Sequence, residues 1–148
     1  MDAKIEFVKN WSDDDMSQLT ISICDGTSRF RHEVYVGHQR LRDAVRALDG
    51  FKDDVYGGVY DLRFGVFGPA YAAGAFHARF QFDQHADLLI TVHAQSRFVA
   101  FPVNEVASEV TLYLTALPSQ LDDFVRALRA VSDGHSDSAT LDATGPCY

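Results

Sequence analysis

The chain has 148 residues, 47% hydrophobic and 23% charged, which is the composition of one globular domain with a single core. Lysine plus arginine is 13 against 21 acids, and the resulting net charge of −8 opposes approach to nucleic-acid phosphates. No run nears the roughly 18 apolar residues of a membrane-spanning helix, and 2 cysteines cannot staple a disulfide scaffold.

From Met1 to Trp11 charged residues are spread through the segment and no apolar signal core occurs. With Cys24 and Cys147 read as reduced thiols, the expected compartment is the cytoplasm. Ile5 and Phe7 can begin a strand. Asp13, Asp14 and Asp15 lack the glycine and glutamate that a calcium loop needs at later positions, and they read as a turn. Leu19, Ile21 and Ile23 then alternate with Thr20, Ser22 and Cys24, which places Cys24 on the polar side. Phe30, Val34 and Val36 alternate with Arg31, Glu33 and Tyr35. Leu41, Ala44, Val45 and Leu48 switch to helical spacing, with Gly50 as the expected stop. Arg40, Arg42 and Arg46 cover a flank of that helix.

Four more alternating runs follow: Tyr60 to Val66, Phe76 to Phe82, Leu88 to Ala94, and Val106 to Leu114. One face of each is apolar and the other polar, the pattern of antiparallel strands with one wet face. Leu121, Phe124, Val125, Leu128 and Val131 form a second helical stripe. Pro118 opens this helix, Asp122 and Asp123 are expected in its first turn, and Gly134 closes it. Beyond Ser132 the composition turns to Gly, Ser, Asp, Ala and Thr without Lys or Arg, so residues 133–148 are expected to be a flexible tail on a domain spanning 1–132. The predicted architecture is an α+β two-layer sandwich: one six- or seven-stranded, mainly antiparallel sheet with two helices packed on one face.

The uncovered face is where chemistry or recognition must sit. Arg31, Glu33, Arg63, Arg79, Glu109 and Tyr113 are its candidate partner-binding residues. His77 and His93 form its sharpest constellation. If Phe76–Phe82 and Leu88–Ala94 are a hairpin around Gln84, His85 and Ala86, shared apolar faces require paired residue numbers with an even sum. A three-residue loop then sets His77 opposite His93 and Arg79 opposite Thr91, close enough for two imidazoles to share a metal, with Glu109 as a possible third ligand. A slip of two residues would pair His93 with Arg79 or Ala75 and remove the site. No P-loop, nucleophile elbow or HExxH occurs, so no catalytic residue and no cofactor is assigned.

The hairpin from Phe80 to His93 and the strand-to-helix run from Glu109 to Phe124 resemble small acidic bacterial domains of unknown function, some of them immunity-like. That resemblance implies a protein that neutralises a toxin by binding it, acidic because many toxins are basic nucleases. The leading expectation is therefore a non-enzymatic binding protein, monomeric or homodimeric, with a basic protein partner and neither nucleic acid nor membrane. Two others stand beside it. One is a metal- or ligand-binding protein or enzyme centred on His77 and His93. The other is a ligand module with a pocket lined by Phe64, Phe80, Phe82 and Phe124.

Overall fold

The computed structural model describes residues 2–68 and 73–146. In chain order the elements are β1 (Lys4–Ser12), β2 (Met16–Cys24), β3 (Arg29–Gly37), α1 (His38–Phe51), β4 (Val59–Gly65), β5 (Ala73–Phe82) and β6 (Leu88–Arg97). These are followed by β7 (Val99–Phe101), β8 (Asn104–Val106), β9 (Glu109–Ala116), α2 (Pro118–Ser132), β10 (Ser138–Asp142) and β11 (Gly145–Pro146). The class is α+β and every strand pairing is antiparallel. No helix of the described residues is long and apolar enough to cross a membrane.

The expected single sheet is instead two larger sheets and a small hairpin. The first sheet runs β10-β1-β2-β3, the second β11-β9-β6-β5-β4, and β7 and β8 form the two-stranded hairpin. Alternation fixes which side chains share a face, but it does not say which strands pair. Between β3 and β4 the chain crosses through α1, and the two strands do not join one ladder. β3 instead passes over the start of β5, where the His32 imidazole Nε2 donates to the Ala75 carbonyl at 3.0 Å.

The apolar faces of both sheets meet in one core. Phe7 of β1 packs edge-on against Phe76 of β5 at 5.4 Å between ring centres, and also lies 5.5 Å from Phe124 of α2. Phe51 of α1 stacks on Phe82 of β5 at 5.0 Å. Phe64, Phe80, Phe82 and Phe124, the four rings considered as a pocket lining, are each 1% exposed or less and pack within this cluster. Aromatic rings in such offset and edge-on pairs add about 0.5–1.5 kcal/mol to their area burial.

Several local expectations shift. Gly50 lies inside α1, which continues to Phe51. α2 does begin at Pro118, where the Gln120 side-chain oxygen accepts the Leu117 N–H at 2.8 Å. It ends before Gly134 (φ +82), with the His135 N–H returning to the Ala130 carbonyl. Asp122 and Asp123 fall in its second turn, where Asp122 faces Lys52 at 3.7 Å and Asp123 faces Arg126 at 3.4 Å. Cys24, expected on the polar side, is buried: Ile23 and Cys24 are covered on both faces of the strand end, and the Gly26 N–H points at the Cys24 sulfur at 3.4 Å. Cys147 lies outside the described residues.

The segment expected to be a tail holds β10. It pairs with β1 from Lys4↔Asp142 to Val8↔Ser138 and buries Ala139 and Leu141. Two apolar side chains at alternate positions suffice to close the edge of the first sheet, although the surrounding composition is that of a loop.

Candidate functional site

The polar face of the second sheet is built by parity. Odd-numbered residues of β4, β5, β6 and β9 share it, because direct partners across antiparallel strands point the same way. The rungs run Arg63–His77–His93–Thr111 and Asp61–Arg79–Thr91–Tyr113, with Gln95 opposite Glu109 on the next. His77 therefore opposes His93 and Arg79 opposes Thr91, as the three-residue loop requires. That loop is closed by the Asp83 N–H bonding to the Asp87 carbonyl, while the Asp83 carboxylate accepts the His85 and Asp87 amides. β9, which carries Glu109, is the strand next to β6.

The side chains nevertheless turn away from a shared centre. His77 Nε2 donates to Asp61 Oδ1 at 2.8 Å, and Arg79 holds the same carboxylate through Nε at 2.9 Å. His93 Nε2 donates to Glu109 Oε1 at 2.7 Å, and its ring lies flat on Phe67, 4.2 Å away and tilted only 7°. Each imidazole thus has its own carboxylate. Among the described residues no three His, Cys, Asp or Glu side chains stand where they could hold a metal ion together.

The Arg79 guanidinium first, and the His77 imidazole second, pull the Asp61 carboxyl down to about 2. A carboxylate depressed in the fold contributes stability that is complete above its unfolded value of 3.8 and is lost as pH falls toward about 2. Urea midpoints of wild type and Asp61→Asn should therefore differ at pH 6 and converge between about pH 4 and pH 2. A gap that stays constant through this range would show that the carboxylate is not held by its two donors.

The end of this face is roofed by residues after β4. Gln95, 4% exposed, clamps Gly68 by donating to its carbonyl and accepting its N–H, both at 3.2 Å. Phe67 is thereby set down on His93.

Compared with protein-family models, curated proteins and solved structures, the chain matches none.

The other partner-binding candidates, Arg31 and Glu33, stand on β3 in the first sheet, so the six do not form one patch. Glu33 accepts a hydrogen bond from Gln18 Nε2 at 2.9 Å. The arginines of α1 are spent locally: Arg40 caps the Arg63 carbonyl at the edge of β4, Arg42 reaches Gln39, and Arg46 lies 3.8 Å from Asp43. Two features escape the sequence reading. Asp61 is the acceptor that organises His77 and Arg79, and its place in the odd row of β4 was a usable signal. Trp11 and Tyr35 form an exposed edge-to-face pair at 6.3 Å, and nothing in the alternation of β1 announces it.

Proposed function

We propose that the chain is a cytoplasmic, non-enzymatic protein-binding module of the immunity-like kind, working as a monomer or homodimer on a basic protein partner. The observation that carries this reading is the set of large apolar side chains left in water on an acidic surface. Trp11 and Tyr35 are about half exposed, Val66 is 79% exposed and Val103 is 86% exposed, on a chain of net charge −8. Val99 and Phe101 project with Val103 from the β7–β8 hairpin, which extends the β6–β9 pair, and all three are more than half exposed. Exposed apolar and aromatic groups rimmed by charge are the composition of a recognition surface.

The paired groups of the second sheet fit the same role. Asp61, His77 and Arg79 hold one another, as do His93 and Glu109, so Arg79 and Glu109 are presented in set positions. A rigid face loses little side-chain freedom on binding.

An acidic surface steers a basic partner and raises its association rate. Asp13 is unsuited to test this, since its carboxylate accepts the Asp15 and Met16 amides and shapes the turn. Reversing Asp14 and Asp15, both exposed, to lysine should lower the association rate by about tenfold at low salt. The gap should close near about 0.5 M salt, with the melting temperature unchanged. An association rate indifferent to the reversal would remove the steering mechanism.

A further inference from the structure

We infer that the outer face of the first sheet is an arginine-recognition surface, where a basic protein partner lays a guanidinium against Trp11 and Tyr35 and an adjacent aliphatic side chain into the groove beside them. This rests on the binding-module reading and names the surface and the chemistry it selects.

The first observation is a register change. β1 and β2 pair in one frame from Lys4↔Cys24 to Lys9↔Leu19, and then a bulge makes Trp11, rather than Asn10, oppose Gln18. In the uninterrupted frame Trp11 would continue the row of Ile5 and Phe7 toward the core. The extra residue turns it to the outer face, directly across Gln18 from Tyr35. Bulges of this kind re-aim a side chain, and here the one re-aimed is the only tryptophan of the chain, left 47% exposed. Its ring meets Tyr35 at 86°, so the pair presents open aromatic surface instead of stacking closed.

The second observation is the groove. Where β3 crosses the β4–β5 corner, Tyr35, Gly65, Val66, Ala73 and Gly74 line a mostly apolar depression of about 230 Å³. Gly65 and Gly74 line it with backbone alone, and its size suits one aliphatic group next to the aromatic pair.

The third observation is charge. Glu33 lies on the same face as Tyr35, two residues away, and Gln18 occupies only its Oε2. Asp14 and Asp15 stand exposed in the turn that follows Ser12. Aromatic rings beside carboxylates favour arginine over lysine. The guanidinium is planar, weakly hydrated and stacks on a ring while its fork reaches a carboxylate, whereas an ammonium is a compact, strongly hydrated point charge.

Trp11 provides its own readout, because all tryptophan emission comes from this surface. Titration with a capped Gly-Arg-Gly-Arg-Gly peptide should change that emission saturably, and the lysine counterpart should bind at least about threefold more weakly. Tyr35→Ala and Glu33→Gln should each weaken the arginine peptide about three- to tenfold. Glu105→Lys, on β8 and not among the residues that form this surface, should leave it unchanged. An emission that ignores the arginine peptide overturns the inference. So does equal binding of the lysine peptide with equal sensitivity to Glu105→Lys, which would mean general attraction to an acidic surface. The fate of the function reading is separable. A basic partner captured equally by wild type and Tyr35→Ala refutes this surface and leaves the binding module standing. Arginine-peptide binding by a chain that captures no partner refutes the module and leaves the surface.

Discussion

Gly74→Ala should destabilise the chain by about 4 kcal/mol or more, enough to unfold most single domains of this size. Gly74 has φ +99, a backbone conformation that side-chain-bearing residues rarely adopt. A Cβ there would also overlap the carbonyl oxygen of Glu33, which belongs to the backbone of β3 and cannot swing aside. Gly65 has the same problem one step away, since its Cβ would overlap the Gly74 carbonyl oxygen at φ +74. Together they let the β4–β5 corner and β3 touch backbone to backbone, the contact that brings the two sheets into one core. Two other glycines separate the contributions. Gly57 has φ +90 but open space around it, so Gly57→Ala should cost only the conformational part, about 1 kcal/mol. Gly50, inside α1 with nothing within 4 Å, should gain up to about 1 kcal/mol as alanine. Urea unfolding of the three variants reads this order directly, and a Gly74→Ala protein within about 1 kcal/mol of wild type would contradict the crossing.

Removing residues 137–148 should be nearly as damaging. The deletion strips β10 from β1, uncovers the edge of the first sheet and removes Ala139 (2% exposed) and Leu141 (fully buried) from the core that also holds α2. The expected loss exceeds about 4 kcal/mol, because a single buried leucine truncated to alanine already costs about 2–5 kcal/mol. Leu141→Ala tests the same claim on the full chain, with an expected loss of about 2–5 kcal/mol. A truncated chain with wild-type stability would return this segment to the status of a tail.

How much of this was legible depends on whether a feature is local. The opposition of His77 and His93 could be worked out because parity, a shared apolar face and a three-residue loop together leave one frame, and the structure adopts it. The two helical stripes were equally plain, since Leu41 to Leu48 and Leu121 to Val131 each recur at three and four. What the residues could not show is pairing across a long connection: α1 separates β3 from β4, and nothing in either strand says that they belong to different sheets. β10 was hidden because Ala139 and Leu141 are only two apolar residues in a polar stretch, and their partner, β1, lies more than a hundred residues earlier. The outward turn of Trp11 depends on one bulge, and a bulge breaks the very parity from which faces are read. For the polar face, proximity was predictable but side-chain direction was not. His77 and His93 oppose each other along the backbone, yet Asp61 and Glu109 draw their imidazoles to separate partners.

The binding role is tested most directly by capture on the tagged full chain from its native host's lysate, with mass spectrometry of the eluate and the Asp14→Lys, Asp15→Lys chain alongside. The account predicts one stoichiometric basic protein, retained by the wild-type chain and depleted on the reversed one. A wild-type eluate without such a protein, or one whose contents are the same on both chains, would contradict it.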